Sequence, residues 1–497
     1  MELLNSIVGS IDDVIWYPMF VILIGVGLYL TIRTRFVQFR RFPEMFRILG
    51  EPSGKDADGR TQISSFRAFT ISAASRVGTA NIAGVALAIS IGGPGAVFWM
   101  WVIASVGAAS AFVESLLAQL YKHPGKEAYV GGPAYYMQRG LKARWMGVAF
   151  AVIICLTYGF VFNSVQTNSI ADAISQSTAH FNEGLASSAG LKIVLGIVLA
   201  ALTGFIIYGG VRSISAITQI LVPVMAVMYV GLGLLVVIMN INLVPSVFLQ
   251  IIQGALGFKE FVTGGLMGVI MQGVRRGLFS NEAGMGSAPN AGATAAVSHP
   301  AKQGFVQSLG VYFDTILVCS ITAFIVLLSQ PSFGDEAAGA SLTQSALASQ
   351  LGGWAVHFLT VAIFLFAFSS VIGNYYYGES NIQFLTERTW VLQIYRALVM
   401  LFVFIGTVAA LDLVWTLADV FMAVMAFLNL IAIFLLAGVA TKVLKNYDRQ
   451  RKEGKEPIFH ASDLPEITGL ETWDGGDEVT TRQFWIDHET LRRAAKK

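Results

Sequence analysis

Residues 69–85 read Phe-Thr-Ile-Ser-Ala-Ala-Ser-Arg-Val-Gly-Thr-Ala-Asn-Ile-Ala-Gly-Val, and residues 277–292 read Gly-Leu-Phe-Ser-Asn-Glu-Ala-Gly-Met-Gly-Ser-Ala-Pro-Asn-Ala-Gly. Both stretches lie where the surrounding apolar pattern requires a membrane-spanning helix. Gly284, Gly286 and Pro289 disfavour a continuous helix in the second stretch. Non-helical backbone at membrane depth is tolerated only where protein buries it or where it lines a wet cavity. The two stretches are therefore predicted to line a binding site.

The composition of the whole chain is typical of a membrane protein. Hydrophobic residues make up 55% of the 497 positions and charged residues only 13%, with a mean hydropathy of +0.64. A soluble domain carries roughly 25% charged residues, and no hydrophilic interval here is large enough for an independent fold. One domain within a lipid bilayer is expected. The basic residues are spread between apolar runs, so the net charge of +2 gives no indication of nucleic-acid binding.

Apolar runs long enough to cross a membrane recur along the chain. A bilayer core about 30 Å thick requires about 20 apolar residues per helix. This criterion predicts eleven transmembrane helices, which begin near Val14, Phe66, Gly95, Met146, Leu191, Ala216, Thr263, Gly304, Gly353, Gln393 and Val414. The first helix is expected to remain in the protein, since Asp12 and Asp13 precede it where a cleavable signal peptide has basic residues.

Basic residues predict the orientation in the membrane. Arginine and lysine are frequent in residues 33–67 and 122–144, the loops after the first and third predicted helices, which indicates that both loops are cytoplasmic. The connections near Glu183 and from Pro331 to Leu351 contain neither residue type. The N-terminus is therefore predicted to lie outside and the C-terminus inside.

The two interrupted helices indicate an internal symmetry. With this orientation the second predicted helix runs outward and the seventh runs inward, and each opens a set of five helices. That is the pattern of an inverted repeat with a binding site between its halves. The predicted fold is an all-α membrane protein with an inverted five-plus-five repeat preceded by one extra helix. The predicted regions are 1–65 with the extra helix and a cytoplasmic loop, 66–441 with the repeat, and 442–497 as a solvated, partly disordered cytosolic tail.

Charged residues distinguish a binding site from simple close packing. Small residues alone would also allow tight helix contacts. Arg76 and Glu282, however, would each cost roughly 2.5 to 3.5 kcal/mol at a helix centre, so they are expected to face a cavity or a partner. A structural ion pair is predicted for Arg76, with Glu114, Glu282 or Asp314 as its partner.

The residue types around the breaks suit a zwitterion and an alkali cation. A half-helix that begins at a break presents free N–H groups to a carboxylate, while free carbonyl groups suit an ammonium group or Na⁺. Hydroxyl and amide oxygens add hard ligands, which are supplied by Ser75, Asn81, Gln166, Ser280 and Asn281. The sequence has no His or Cys cluster of the kind that binds a transition metal, and no cofactor is expected.

Several motifs resemble those of one transporter family. Residues 77–85, 92–101, 131–137 and 277–289 are similar to the motifs of the alanine or glycine:cation symporters, or sodium:alanine symporters. The resemblance extends through the string Tyr-Tyr-Tyr-Gly-Glu that ends at Glu379. It implies a fold of the leucine-transporter type. It also implies import of a small amino acid, alanine or glycine, with Na⁺ across a bacterial plasma membrane, without enzyme activity or an obligatory protein partner.

The resemblance also implies which residues form the site. Those around the amino acid would be Ser75, Gly78, Thr79, Gln166, Asn281, Glu282, Gly284 and Met285. Those around sodium would be the carbonyl groups of Ala74 and Val77 and the hydroxyl groups of Ser369 and Ser370. The sequence departs from the family pattern at Ala80, where glycine is more frequent, and at Asn374, where tryptophan is common. The second departure bears on the size or selectivity of the pocket.

Other functions are compatible with parts of the pattern. An ion channel would also need a polar cavity, but the sequence has no ring-forming filter motif. A membrane enzyme would need a catalytic constellation, and neither a His-rich metal cluster nor a Gly-x-Ser-x-Gly motif occurs. Proton-coupled transport or exchange, with Glu282 or Asp314 as the proton carrier, is the alternative within the transporter class. Alternating access is expected of any such carrier.

Overall fold

The computed structural model describes residues 2–55, 59–259, 265–333 and 339–494, and their regular structure is almost entirely helical. The helices are α1 (Glu2–Arg33), α2 (Val37–Arg40), α3 (Phe42–Leu49), α4 (Ser65–Arg76), α5 (Val85–Gly92), α6 (Gly95–Leu120), α7 (Pro133–Arg139), α8 (Arg144–Leu156), α9 (Asn163–Ala179), α10 (Glu183–Ala186), α11 (Ala189–Ile207), α12 (Gly210–Met239), α13 (Val244–Ala255), α14 (Gly265–Asn281), α15 (Ala288–Gly292), α16 (Ala301–Val311), α17 (Ser320–Leu328), α18 (Ala340–Leu351), α19 (Trp354–Leu385), α20 (Thr389–Val408), α21 (Leu411–Lys452) and α22 (Arg482–Ala494). The π-helical segments are Ala80–Gly84, Thr157–Phe162 and Tyr312–Cys319, and the short 3₁₀ turns are Ala461–Asp463 and Glu478–Thr480. Strands β1 (His123–Pro124) and β2 (Tyr129–Val130) form an antiparallel hairpin.

The number of membrane-spanning helices is close to the predicted one. Nine helices of the described chain are long and apolar enough to cross a bilayer, and a tenth is counted if the bent pair Ser65–Arg76 and Ala80–Gly92 is taken as one. The predicted count of eleven is not confirmed. The remaining predicted helix, whose start near Thr263 lies outside the described residues, corresponds to α14. The described part of this helix has 17 residues, or about 25 Å of length, which is less than the bilayer core of about 30 Å.

Both predicted helix interruptions are present. α4 ends at Arg76, and the chain bends by 53° before it continues as helix from Ala80. After α14 the backbone of Glu282, Gly284 and Gly286 is left-handed, with φ of 56°, 86° and 82°. Glycine adopts this conformation without steric cost, which explains why the helix stops here. Glu282 is a non-glycine residue in the same conformation, so the surrounding structure must hold it there.

The interrupted helices lie at the centre of the bundle. α6 packs along α14 and α16, α9 packs along α19 and α20, and α1 packs along α21. The residues at both breaks are buried, whereas α11, α12 and α13 expose large apolar side chains on their outer faces. Such wide apolar faces are expected to contact lipid. The polar breaks are thereby kept away from the hydrocarbon.

The C-terminal segment, residues 453–494, packs against one end of the bundle. Its buried apolar side chains are Ile458, Phe459, Ile467, Trp473 and Val479. Trp473 Nε1 donates to the carbonyl of Leu120 at 3.2 Å, and the N–H of Phe459 donates to the carbonyl of Ser298 at 2.8 Å. The predicted boundary at residue 441 falls within α21, which continues beyond it. The expectation of a partly disordered tail is wrong for the described residues, because a few scattered aromatic side chains anchor it without any periodic pattern.

A group of six charged residues and one tyrosine, which we call the charged seam, joins this segment to the bundle. Its members are Glu44, Arg47, Glu51, Lys302, Tyr447, Arg451 and Glu456. Arg47 pairs with Glu51 and Glu456 at 2.9 and 3.0 Å, and Lys302 pairs with the same two carboxylates at 2.7 and 2.6 Å. Burial would raise the pKa of Glu44, but hydrogen bonds from Arg47 and Tyr447 lower it below its usual value. The seam therefore holds α3, α16 and the C-terminal segment together as charged partners.

His299 gives this end of the molecule a pH dependence. Its ring is fully buried and packs edge-on against Tyr447 and Phe459, and its Nδ1 accepts from the N–H of Ala301 at 3.1 Å. Burial lowers the pKa of His299 from 6.5 to about 3. At pH values between about 3 and 6.5, His299 therefore binds fewer protons when the C-terminal segment is docked than when it is not. The contribution of His299 to docking of the C-terminal segment is therefore fully present above pH 6.5 and is lost as the pH falls towards 3.

We expect acid to release the C-terminal segment through His299. Each pH unit below the ordinary histidine pKa of 6.5 lowers the stability of the docked segment by up to about 1.4 kcal/mol. Cleavage of the segment by an acid-tolerant protease should therefore accelerate up to about tenfold per pH unit. The His299→Phe variant keeps the ring packing and should lose this acceleration. His180→Gln changes an exposed histidine in α9's C-terminal cap and should keep it. Equal acid sensitivity of the wild type and His299→Phe would contradict this role.

Candidate functional site

The two breaks are joined by one buried carboxylate. Ser75 Oγ, near the end of α4, donates to Glu282 Oε1 at 3.3 Å and to Asn374 Oδ1 at 2.6 Å. Ser287 Oγ, beyond the second break, donates to Glu282 Oε2 at 2.7 Å. Glu282 thus connects both interrupted helices, and Asn374 connects them to α19. Ser75 and Glu282, which were predicted to share a site, do lie together.

Gln166 of α9 holds the first break from the side. Its Oε1 accepts from the N–H of Thr79 at 3.0 Å, while the N–H of Gly78 donates to Asn81 Oδ1 at 3.0 Å. A Cβ atom on Gly78 would lie 2.8 Å from Gln166 Oε1 and closer still to Ser370 Oγ. Real Cβ atoms do not show such contacts, so only glycine fits here. The predicted residues Gly78, Thr79 and Gln166 are therefore in direct contact.

The predicted sodium ligands meet at the crossing of α4 and α19. Ser370 Oγ lies 2.9 Å from the carbonyl oxygen of Ala74, and Ser369 Oγ lies 3.5 Å from it. Both serines also donate to the carbonyl of Phe366, at 3.1 and 2.8 Å. Val77 follows α4 with ψ of 79°, outside the helical range. Carbonyl and hydroxyl oxygens are the hard ligands that an alkali cation takes, so this crossing is a candidate sodium site.

The remaining predicted residues lie along the second break. Asn281 ends α14 and its Oδ1 accepts from the backbone N–H two residues on, at 3.0 Å. Met285 is fully buried. Gly284 is tied to a different group, because its N–H donates to Glu114 at 3.3 Å and its carbonyl accepts from Asn429 at 2.9 Å. Gly284 shapes the break, but no hydrogen bond of the described chain joins it to the first break.

Glu114 has a role in the second break that the sequence reasoning missed. Its carboxylate accepts from the N–H groups of Gly284 and Gly286 at 3.3 and 3.2 Å, and from Asn429 Nδ2 at 2.7 Å. These donors are peptide groups that the interrupted helix leaves without intrahelical partners. An acidic residue in the middle of the apolar helix α6 was the signal that could have found it.

Asn374 is the second residue whose contacts were missed. It accepts from Ser75, and its Nδ2 donates to Asn163 Oδ1 at 3.0 Å. Asn374 is almost completely buried. The residue noted as a departure from the family pattern therefore belongs to the hydrogen-bond network of the site. Its polar character was visible in the sequence, but its contact with Ser75 across 299 positions was not.

Arg76 does not form the predicted ion pair. Its Nη1 and Nη2 donate to the backbone and side-chain oxygens of Gln307, at 3.1 and 3.2 Å. In the part of the chain that the structure describes, Arg76 has no ion pair with Glu114, Glu282 or Asp314. The prediction was wrong because a neutral glutamine accepts from two of the guanidinium nitrogens, while each carboxylate accepts from neutral donors and interacts with Arg76 only at longer range.

The region therefore contains more buried acidic groups than basic groups. Asp314 accepts from Asn81 Nδ2 at 2.6 Å, from Thr315 Oγ1 at 2.9 Å and from Ser280 Oγ, none of which is charged. The three buried carboxylates considered as partners of Arg76 share only this one guanidinium. Burying an uncompensated charge is costly. The arrangement favours a ligand that brings positive charge, such as an ammonium group, Na⁺ or a proton.

Two buried polar atoms at the breaks, Thr79 Oγ1 and Asn281 Nδ2, have no hydrogen-bond partner in the described chain. Two buried tyrosines, Tyr158 and Tyr377, lie beside Glu282. The rings of Tyr158 and Tyr377 lie 5.1 Å apart, and both residues interact electrostatically with Glu282. Buried polar groups are nearly always hydrogen-bonded in proteins. Their unused donors and acceptors are therefore available to a small polar ligand.

Two layers of contacts close the site. On the α14 side, Phe279 packs edge-on against Phe162 and Trp415 at 4.8 and 5.3 Å, and Arg276 pairs with Asp419. We call these five residues the aromatic seam. The charged seam and the C-terminal segment cover the opposite end. Because the predicted site side chains between them are all buried, the structure shows a conformation closed at both ends.

The chain is similar over most of its length to known membrane proteins. The family model for the "Sodium:alanine symporter family" matches residues 1–461. The "Amino-acid carrier protein AlsT" of Bacillus subtilis is 55% identical over 472 residues, which cover 95% of this chain and 98% of AlsT. The "Probable sodium/glutamine symporter GlnT" of the same organism is 47% identical, over 96% of this chain and 98% of GlnT.

One solved structure supports the fold. MhsT in complex with L-phenylalanine is similar with a TM-score of 0.52 and 15% sequence identity, over 78% of this chain and 99% of MhsT. At this identity the likeness concerns the fold alone. MhsT has the leucine-transporter fold, which agrees with the fold type implied by the sequence motifs.

Proposed function

We propose, from the premise that this chain belongs to the sodium:alanine symporter family and is a transporter and not an enzyme, that it imports alanine or glycine together with Na⁺. Residues 66–441 would form the inverted-repeat transport domain, preceded by the extra helix and loop of 1–65 and followed by the cytosolic residues 442–497. The transporter would lie in a bacterial plasma membrane with its N-terminus outside. It needs no organic cofactor and no obligatory protein partner.

One observation carries this proposal, namely the buried carboxylate of Glu282 between the two breaks, which forms no ion pair with a basic residue of the described chain. In our proposal the ammonium group of the amino acid binds Glu282. The carboxylate group of the bound amino acid accepts hydrogen bonds from Thr79 Oγ1 and Asn281 Nδ2, the two nearby donors without a partner. A zwitterion would thus satisfy the acceptor and the donors at once, which neither a chloride ion nor an apolar solute does. Gln166 and Met285 complete the walls.

Sodium coupling follows from the neighbouring crossing of α4 and α19. Na⁺ would bind the carbonyl groups of Ala74 and Val77 and the hydroxyl groups of Ser369 and Ser370. Gly78 lies between this crossing and Gln166, so Na⁺ would fix the backbone that the amino acid requires.

One Na⁺ moving down a roughly tenfold gradient gains about 1.4 kcal/mol, and a potential near 100 mV adds about 2.3 kcal/mol. Alternate opening of the aromatic seam and the charged seam completes the cycle.

Proton coupling is the alternative that the site itself suggests. Asp314 is fully buried and contacts Asn81 and Ser280, one residue from each interrupted helix. Protonation of this carboxylate would alter contacts to both breaks at once. Sodium dependence at constant pH separates the two mechanisms.

Uptake into proteoliposomes tests the proposed function. We expect radiolabelled alanine to accumulate when an inward Na⁺ gradient is applied, to accumulate faster with a negative interior, and not to accumulate in choline at the same pH. Unlabelled glycine should compete, and glutamine belongs in the same competition series because GlnT is named for it. Uptake driven equally well by a pH gradient in choline would move coupling to Asp314 or Glu282. No uptake under either gradient would remove the substrate assignment.

A further inference from the structure

A cavity lies beside the Tyr-Tyr-Tyr-Gly-Glu string, which the proposed transport site leaves unused. Its volume is about 430 Å³, within the usual range of pockets for small ligands. The β1–β2 hairpin, the last turns of α19 and the first turns of α20 line it, together with Val211 of α12. We call it the hairpin cavity. The hairpin follows α6, so the cavity opens at the end of the bundle that we propose to be cytoplasmic.

Two residues in the wall of the hairpin cavity each carry a buried oxygen that lacks a hydrogen bond of ordinary geometry in the described chain. They are Tyr376, whose hydroxyl lies beside Ser380, and Glu379, through its Oε2, and these residues are 3% and 6% exposed. The other carboxylate oxygen of Glu379 accepts from Arg396 at 3.4 Å, and Arg396 also donates to Tyr375 OH at 2.7 Å. Arg396 therefore holds the carboxylate in place while one oxygen stays unused. Such atoms are rare in protein interiors unless a ligand or water completes them.

The lining of the hairpin cavity carries both signs of charge. Its acidic residues are Glu127, Glu379 and Glu387, and its basic residues are Lys126, Arg388 and Arg396. The formal charges of these two sets cancel. An inorganic anion or a polyamine would leave one set uncompensated, whereas a zwitterion engages both. The buried acidic group lies in the wall, and Arg388 lies at the exposed rim.

α19 connects the hairpin cavity to the proposed transport site. Asn374 contacts Ser75 at the first break, whereas Tyr376 and Glu379 line the cavity. Five residues of α-helix, the separation of Asn374 and Glu379, span about 7.5 Å. A solute that leaves the transport site along α19 towards the hairpin would therefore meet the cavity within about one and a half helical turns.

We propose that the hairpin cavity is a second binding site for amino-acid zwitterions of the transported class, reached from the cytosolic side. Glu379 accepts the ammonium group, and the hydroxyl of Tyr376 and the basic rim hold the carboxylate. The inference rests on the proposed function for its ligand class. It gives the chain a place where the released amino acid is retained after the transport site has emptied.

Equilibrium binding of radiolabelled alanine to the purified full-length protein in Na⁺ measures the number of sites. We expect two alanine molecules per chain for the wild type, one for Glu379→Gln and one for Gln166→Ala. The matched control Glu453→Gln changes an exposed glutamate of the C-terminal segment and should still bind two. One alanine per wild-type chain, unchanged in Glu379→Gln, would overturn the proposal even where Na⁺-driven alanine uptake is intact. A protein that neither transports nor binds alanine would overturn the second site together with the proposed function.

A second variant covers the case in which Glu379→Gln fails to fold for lack of the contact with Arg396. Tyr376→Phe removes only a hydroxyl that lies beside Ser380 and lacks a hydrogen bond of ordinary geometry in the described chain, so the variant should still fold. We expect about tenfold weaker binding at the second site, the size of one lost hydrogen bond, with unchanged affinity at the transport site. Unchanged affinity at both sites would contradict a ligand role for this hydroxyl.

Cysteine labelling locates the second site independently of affinity. Cys155 and Cys319 are buried, so a new cysteine on the rim of the cavity should dominate the reaction with a membrane-impermeant maleimide. In the Gln166→Ala background, saturating alanine should protect Gln383→Cys, which lies at the rim, and should not protect Glu453→Cys. Equal labelling of Gln383→Cys with and without alanine would overturn the location.

Discussion

Replacing Gly78 by alanine should abolish amino-acid uptake and leave a folded protein in the membrane. The added methyl group would lie 2.8 Å from Gln166 Oε1 and closer still to Ser370 Oγ. Either Ser370 or Gln166 must then move. A shift of Ser370 opens the proposed sodium site, and a shift of Gln166 releases the N–H of Thr79. Overpacking of this kind costs about 1–3 kcal/mol, which a bundle of this size survives, but we expect uptake to fall by at least about a hundredfold.

Glycines elsewhere in the bundle provide a matched control. Gly231 in α12 and Gly438 in α21 have no heavy atom within 4 Å of a built Cβ. Gly231→Ala and Gly438→Ala should therefore retain wild-type initial rates when equal amounts of protein are reconstituted. Wild-type uptake by Gly78→Ala would show that the contact between Gly78, Gln166 and Ser370 does not limit transport.

Removing the hydroxyl groups of Ser369 and Ser370 should weaken the response to Na⁺. Each lost ligand oxygen is worth about 1–3 kcal/mol, so the half-saturating Na⁺ concentration should rise at least about tenfold per serine. Ser370→Ala should have the larger effect, because its Oγ lies 2.9 Å from the carbonyl of Ala74 while that of Ser369 lies 3.5 Å away. Uptake measured as a function of Na⁺ concentration checks both statements. Maximal uptake at saturating Na⁺ should recover in the single variants.

A control from the same helix makes the sodium result specific. Ser380 is also buried in α19, and its hydroxyl has no partner in the described chain. Ser380→Ala should leave the Na⁺ response unchanged. An unchanged response in the double variant Ser369→Ala/Ser370→Ala, with loss of uptake in Asp314→Asn, would assign coupling to the carboxylate of Asp314.

The places where the helices break could be predicted because the signal is local. Gly284 and Gly286 adopt the left-handed conformation that glycine favours, and Pro289 lies in the first turn of α15. The partners across the breaks could not be predicted in the same way. Ser75 and Glu282 are 207 positions apart, and only the assembled bundle brings them together. Their grouping came from the family resemblance instead.

The predictions that the structure did not confirm also have physical causes. Charge alone suggested an acidic partner for Arg76, but Gln307 offers two oxygens without the cost of burying a second charge. The anchoring of the C-terminal segment was also missed. Its contacts depend on isolated side chains such as Trp473, which a search for periodic apolar faces does not detect. The seventh predicted helix was not confirmed as a membrane-spanning helix because the described part of α14, which ends at the second break, has only 17 residues.

The charged seam can form only late in the synthesis of the chain. Glu44 is hydrogen-bonded to Tyr447 across 403 positions, and Arg47 to Glu456 across 409. A chain is synthesised from its N-terminus at roughly 5–20 residues per second, so Glu44 and Arg47 wait about 20–80 s for their partners. A nascent or truncated chain that lacks the last turns of α21 leaves this cluster uncovered beside the membrane. Residues 447–456 therefore complete the charged seam, and quality control at the membrane can recognise an uncovered seam as a sign of truncation.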